Sequence, residues 1–117
     1  MKGIRGAITI NKNQSSLILE GTRLLLKEII SENELNKKEI VSIIFTATDD
    51  LDSEYPAVAA RDMGFREIPL MCYQEMKVKN SLRKCIRVII YINRDCSHKD
   101  LNHIYLRKAK TLRPDLT

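Results

Sequence analysis

Residues 85–92 read Cys-Ile-Arg-Val-Ile-Ile-Tyr-Ile and form the most apolar strand-like run of the chain. Side chains of a β-strand point alternately to the two faces of a sheet, so this run divides into two sets. The set that we predict to face the core is Ile86, Val88, Ile90 and Ile92. The other set is Cys85, Arg87, Ile89 and Tyr91. Such a mixed face is typical of a pocket wall or a subunit contact.

Arg87 places a permanent charge in the middle of this apolar run. A buried charge without a partner is strongly unfavourable, so the guanidinium needs an anion or water. The anion is either a protein carboxylate or a bound ligand. The remaining interpretation is an edge-strand arginine whose long side chain reaches solvent.

Outward from this strand, the chain alternates between strand and helix patterns. The predicted strands are residues 2–10, 40–46, 68–73, 83–93 and 103–110, and the two main helices are residues 17–31 and 57–63. The first helix has an inward stripe of Ile18, Thr22, Leu25, Leu26 and Ile29. The order β-α-β-α-β-β-β predicts an α+β fold with a mixed five-stranded sheet. Two helices cannot cover both faces of such a sheet, so we also expect oligomerisation.

The composition restricts the class of protein. A chain of 117 residues suggests one domain, residues 1–117, and three cysteines without a Cys-x-x-Cys pair suggest neither a disulfide framework nor a zinc site. We expect no bound metal and no cofactor. No apolar run has the roughly 18 residues of a membrane span, so we expect a cytoplasmic protein without a membrane partner. The net charge of +5 favours anionic partners, but an aromatic content of only 5% argues against nucleic acid.

A small group of polar residues stands out as a candidate site. It comprises Arg5, Arg61, Arg87, Arg113, Glu75 and Tyr105. Because Glu75 and Arg87 flank a hairpin-like connection, strand pairing could bring them together, and a simple cross-strand ion pair would explain them equally well. Several arginines with one carboxylate and one tyrosine suit a small dicarboxylate that carries a hydroxyl, since the guanidinium fork binds carboxylates through two hydrogen bonds.

Short motifs throughout the chain resemble one enzyme family. They are Gly3-Ile4-Arg5-Gly6-Ala7, Thr46-Ala47-Thr48-x-Asp50-Leu51, Tyr55-Pro56-Ala57, Cys72-x-Gln74-Glu75-Met76, Lys84-Cys85-Ile86-Arg87-Val88, Tyr105-Leu106 and Leu112-Arg113-Pro114-Asp115-Leu116. In this order and spacing they resemble the monofunctional AroH class of chorismate mutases. The resemblance implies a homotrimer with a pseudo-barrel core and active sites in clefts between subunits. It also implies the rearrangement of chorismate to prephenate, on the shikimate branch towards Phe and Tyr.

The resemblance also implies a role for each motif residue within one subunit. Arg87 would contact the ether oxygen and a carboxylate of chorismate. Glu75 would accept a hydrogen bond from the ring hydroxyl, with Cys72 beside it. Arg5 and Tyr105 would bind carboxylate groups.

A second set of residues would complete the site. Tyr55, Ala57 and Arg61 would approach from the neighbouring subunit, and the tail residues Leu112 and Arg113 would close over the substrate. The chain departs from the family pattern at Tyr55, where Phe is usual, and at residue 58, where a valine replaces a common lysine.

Two alternatives to an enzyme are weighed against this resemblance. An oligomeric module that senses a small carboxylate would use the same arginines without catalysis, and an assay of chorismate consumption separates it from a mutase. RNA binding would use the basic stretch around Arg107, and a steep dependence of RNA affinity on salt would support it.

Overall fold

A computed structural model describes residues 1–116 as one mixed sheet with two α-helices and four short 3-10 helices. The strands are β1 (Lys2–Thr9), β2 (Ile40–Ala47), β3 (Leu70–Gln74), β4 (Cys85–Ile92) and β5 (Ile104–Leu106). The helices are α1 (Ser15–Glu32) and α2 (Ala57–Asp62). The strand order is β3-β2-β4-β1-β5, so β4, the apolar run of residues 85–92, is the central strand. This confirms the predicted α+β class and the five-stranded mixed sheet.

The core lies between one face of the sheet and the apolar stripe of α1. On β4 the four isoleucine and valine residues of the predicted core face are all buried, with at most 4% of their surface exposed. All five residues of the predicted stripe on α1 are fully buried. Gly21 lies in the same contact, where an added Cβ would overlap the Ile10 side chain. The absence of a side chain at this position therefore lets α1 approach the sheet closely.

The strand neighbours correct one expectation from the sequence. β3 and β4 do not form a hairpin, because β2 lies between them, parallel to β3 and antiparallel to β4. Local patterns predict strands but not their neighbours, and the ten residues between β3 and β4 are long enough to pass over a strand.

The last strand is shorter than expected. Alternation predicts a strand over residues 103–110, but β5 ends at Leu106. Arg107 has a φ of 56°, which leaves the extended region, and the chain continues as a 3-10 helix over Arg107–Thr111. The tail therefore folds back beside β1 instead of extending the sheet.

The face of the sheet that α1 does not cover remains accessible over much of β3. Met71 and Tyr73 are about half exposed, at 50% and 53%. Tyr91 and Ile89 on β4 are partly exposed on the same face. Among residues 1–116, no helix combines the length and the apolarity needed to cross a membrane.

Candidate active site

A row of residues crosses four strands on the uncovered face of the sheet. In β4, Arg87 lies opposite Thr46 of β2 on one side and opposite Ala7 of β1 on the other. Ala7 in turn lies opposite Tyr105 of β5. Residues that lie opposite each other on paired strands project to the same face, so the register brings all four side chains together. Arg5, two positions from Ala7 on β1, shares that face.

Glu75 reaches this row from the residue that follows β3. Its backbone N–H donates to the carbonyl oxygen of Ala47 at 2.8 Å, which continues the pairing of β2 and β3 by one residue. The Thr46 hydroxyl donates to Glu75 Oε2 at 2.5 Å, and Arg87 Nε lies 3.9 Å from the same oxygen. Glu75 and Arg87 therefore lie close together, as expected. They do so across β2, where Thr46 lies between them, and not across a hairpin.

Most of this row lines an open cavity of about 230 Å³. Its lining consists of Arg5, Gly6, Ile44, Thr46, Glu75, Arg87, Val88, Ile89 and Tyr105. The Arg87 side chain is 41% exposed and that of Glu75 is 23% exposed, so solvent and ligands can reach both charged groups. Two guanidinium groups face one carboxylate, which leaves a net positive charge for an anionic ligand.

Arg5 contributes a second guanidinium to the cavity. Over residues 1–116, none of the ion pairs within 4.0 Å involves Arg5. Its backbone N–H donates to Nδ1 of His103 at 2.9 Å, which ties β1 to the residue before β5. Burial, and then the positive charge of Arg5, lower the pKa of His103, so the neutral imidazole that accepts this bond is favoured.

Tyr105 lines the cavity, and the described part of the tail packs behind it without lining the cavity itself. Tyr105 is only 4% exposed and packs with Ala7, Cys85 and Ala109, and Leu112 of the tail contacts the same cluster. Arg113 donates two hydrogen bonds to the Asp115 carboxylate, at 3.1 and 2.9 Å. These bonds, and further out the charge of Arg5, lower the pKa of Asp115, so the tail lies within electrostatic range of the cavity.

Two of the other expected site residues lie at a second cavity of about 410 Å³, and Ala57 and Arg61 are not among the residues that line it. Tyr55 and Cys72 line it, and Tyr55 is 68% exposed. The Cys72 side chain contacts the hydrophobic core, opposite Phe45 in the register, and lies near the Ala57 backbone and the charge of Arg61. Burial raises the pKa of the Cys72 thiol.

The two cavities are adjacent but separate within one chain. Of the residues that line them in the described part of the chain, none belongs to both. Within a single chain, Cys72 therefore lines the second cavity and not the one that contains Glu75. The second cavity is the larger, but its charged lining consists of Asp49, Asp52 and Glu54, which disfavours an anionic ligand.

Thr46 is a site residue that the sequence analysis missed. Its place in the motif Thr46-Ala47-Thr48 was noted, but its hydroxyl was assigned no contact. The available signal was strand alternation in β2, which separates Thr46 from the buried Phe45. Only the register with β4 shows that this hydroxyl lies opposite Arg87.

Comparisons with known proteins agree with one another. The family model described as chorismate mutase type I matches residues 1–116. The chorismate mutase AroH of Bacillus subtilis is 40% identical over 118 aligned positions, which cover 100% of this chain and 93% of that protein. The enzyme of the same name from Thermus thermophilus is 41% identical, with coverage of 99% and 96%. A solved chorismate mutase from Clostridium thermocellum superimposes with a TM-score of 0.93 at 47% identity, covering 95% of this chain and 99% of that one.

Proposed function

The chain belongs to the chorismate mutase type I family, and we propose that it converts chorismate to prephenate in the cavity around Arg87. The enzyme is then an isomerase of the intramolecular transferase type, acting in the biosynthesis of Phe and Tyr. The observation that carries the assignment of the site is the pair of guanidinium groups, Arg5 and Arg87, that faces Glu75 on adjoining strands. A dicarboxylate with one hydroxyl matches this set of charges and hydrogen-bond acceptors.

The reaction breaks one C–O bond and forms one C–C bond within a single molecule. No proton has to be transferred, so the protein needs neither a general acid nor a general base, and no cofactor is required. The protein can still accelerate the reaction in two ways. The cavity can hold the enolpyruvyl side chain folded over the ring, and it can place fixed positive charge beside the ether oxygen as negative charge develops there.

Four polar side chains that line the cavity have a place in this mechanism. Arg87 stabilises the ether oxygen, because a guanidinium keeps its proton and a central strand keeps it in position. Glu75 accepts a hydrogen bond from the ring hydroxyl. Arg5 and Tyr105 bind the carboxylates, and Leu112 and Arg113 of the tail close the cavity beside them.

We propose further that the complete site forms between subunits of a homotrimer. A cavity of about 230 Å³ is smaller than the roughly 300–1,000 Å³ of most ligand sites, so a second chain is needed to enclose the substrate. The exposed Tyr55 and Arg61 are suited to supply that wall from the neighbouring subunit, and Ala57 lies between them at the start of α2 with its side chain buried. Cys72 would lie beside Glu75 of the same chain once the second subunit completes the site. The exposed apolar side chains of β3 are the surface that trimerisation would bury.

The proposal covers the whole chain as one domain, residues 1–117, supported by a family match that extends over residues 1–116. It requires no nucleic acid and no membrane partner. A cytoplasmic location stays a prediction from the sequence.

The direct test of the function is to incubate the purified protein with chorismate and to follow the loss of chorismate and the appearance of prephenate. Enzymatic conversion well above the spontaneous rate is expected. A protein that binds chorismate without converting it would be a sensing module and would refute the proposed activity.

The test of the shared site is complementation between two inactive variants. Arg87→Ala and Arg61→Ala should each lose activity, and mixing them under conditions of subunit exchange should restore part of it, because mixed trimers contain some intact clefts. A mixture of two copies of the same variant is the control. No recovery, with exchange demonstrated by mass spectrometry, would place the whole site within one chain.

A further inference from the structure

The hydroxyl of Thr46 holds the Glu75 carboxylate in one orientation. We propose that Thr46 is a positioning residue for the rearrangement, acting through Glu75, and this inference rests on the function proposed above. The Thr46 hydroxyl lies 2.5 Å from Glu75 Oε2, in the short range for a hydrogen bond to a charged acceptor. Both residues line the cavity that contains Arg87.

The contacts of Glu75 divide unequally between its two carboxylate oxygens. Oε2 accepts the Thr46 hydroxyl and faces Arg87 Nε at 3.9 Å. Within residues 1–116, no side-chain or backbone donor is hydrogen-bonded to Oε1. An ionised carboxylate has acceptor positions on both oxygens. Oε1 is therefore the oxygen with both acceptor positions available for the ring hydroxyl of the substrate.

Without Thr46, the position of the carboxylate would be poorly fixed. Glu75 follows the end of β3, and its backbone is anchored by a bond to Ala47, but its side chain has three rotatable bonds. At 3.9 Å the Arg87 guanidinium attracts the carboxylate without a direct hydrogen bond. If Arg87 and Glu75 formed a closer ion pair, the guanidinium would be less available to the ether oxygen, and the carboxylate would be less available to the ring hydroxyl. Thr46 is suited to prevent this, because a β-branched side chain on a paired strand has little freedom at χ1.

The experiment replaces Thr46 by two residues that separate shape from hydrogen bonding. Thr46→Val exchanges the hydroxyl for a methyl of similar size, and we expect kcat/KM to fall about tenfold or more, the range for losing a hydrogen bond to a charged group. Thr46→Ser keeps the hydroxyl and should stay within about threefold of the wild type. The matched control is Ser42→Ala, which removes a hydroxyl from the same strand at the position opposite Tyr91, away from Glu75. This control should retain wild-type kinetics.

A double-mutant cycle with Glu75→Ala distinguishes positioning from a structural effect. If Thr46 acts through Glu75, then Thr46→Val should change kcat/KM by less than about twofold once the carboxylate is gone. If Glu75→Ala turns over too slowly to measure, the same cycle is run on the affinity for prephenate by calorimetry, since the product keeps the ring hydroxyl.

Three results would overturn the inference: wild-type kinetics for Thr46→Val, no recovery in Thr46→Ser, or an undiminished effect of Thr46→Val in the Glu75→Ala background. Thermal unfolding of every variant verifies that it is folded. A failure of the proposed function itself looks different, because the wild-type protein would then not convert chorismate at all.

Discussion

Replacing Arg87 by alanine should nearly abolish turnover while leaving the fold intact. Suppose that the ether oxygen gains about half an electron charge and lies about 3 Å from the guanidinium. At an effective dielectric constant of about 20, the interaction is then worth about 3 kcal/mol. This corresponds to about a hundredfold in kcat, at the lower end of the effect of removing one donor from an oxyanion hole. Arg87→Ala would also remove the hydrogen bond from the guanidinium to a carboxylate of chorismate, which would increase the loss of kcat.

The stability of the Arg87→Ala variant should change little. The partner oxygen of Glu75 lies 3.9 Å away and the Arg87 side chain is 41% exposed, so water screens the ion pair. Pairs of this kind contribute about 0–1 kcal/mol. The midpoint of thermal unfolding should therefore shift by no more than about 5 °C in a chain of this size.

Arg94→Ala is a matched control, for which we expect a loss of stability and no loss of rate. Arg94 donates to both oxygens of Glu39, at 3.0 and 2.6 Å, and to the carbonyl oxygen of Asn33 at 3.1 Å. Its removal should lower the free energy of unfolding by about 1–3 kcal/mol, because charged hydrogen bonds at a partly buried site are lost. Arg94 lies beyond the end of β4 and lines neither cavity, so kcat should be unchanged.

The assay follows the ultraviolet absorbance of chorismate over time, with urea unfolding of each variant measured in the same buffer. The contrast is what tests the reasoning: Arg87→Ala loses rate without losing stability, and Arg94→Ala does the reverse. A folded Arg87→Ala protein with near-normal kcat would refute the assignment of Arg87 to the ether oxygen. Arg87→Lys should recover little, because an ammonium group lacks the planar fork.

Three further predictions concern stability and reactivity. Burial, and then the charge of Arg5, lower the pKa of His103 from 6.5, so the unfolded chain takes up a proton more readily than the folded chain, and the free energy of unfolding should fall as the pH drops through and below 6.5. Urea titrations at several pH values should show a weaker pH dependence of stability for His103→Asn than for the wild type. An equal pH dependence for the two proteins would contradict this prediction. Burial raises the pKa of Cys85 to about 11, so iodoacetamide at neutral pH should leave this thiol unmodified until the protein is unfolded, as peptide mass spectrometry can detect. Gly6→Ala should destabilise the fold by about 1–3 kcal/mol through overpacking. The new Cβ would lie 2.8 Å from Ile29 Cδ1 and 3.0 Å from the carbonyl oxygen of Ile104 in β5. An unchanged midpoint of urea unfolding would disprove this prediction.

Elements governed by local patterns could be predicted from the sequence. The alternation in β4 correctly divides the buried isoleucines from Arg87, and the stripe of α1 is buried as expected. The 3-10 turn Lys37–Glu39 also has local determinants, because the Asn36 side chain accepts a hydrogen bond from the Lys38 N–H and the Glu39 side chain accepts one from the Asn36 N–H. In each case the residues that determine the structure are close in sequence, so their spacing carries the information.

Features that depend on distant residues could not be predicted in this way. No local pattern places β2 between β3 and β4, so the hairpin expectation failed and Thr46 was overlooked. The end of β5 depends on the left-handed conformation of Arg107, which alternation does not encode. The second cavity, with Tyr55 and Cys72, likewise depends on how the loop between β2 and α2 packs against β3. Its participation in catalysis stays a proposal that the complementation experiment tests.

The row that joins Thr46, Arg87, Ala7 and Tyr105 makes catalysis depend on strand register in an all-or-none manner. Strands can slip only by whole residues, and a slip of one residue turns every side chain to the opposite face. A sheet in which β4 is displaced by one residue would therefore hold Arg87 in the core and isoleucine in the cavity. Variants that weaken the sheet should divide into molecules with full activity and molecules with none. The fraction of active molecules would then serve as a count of correctly paired sheets.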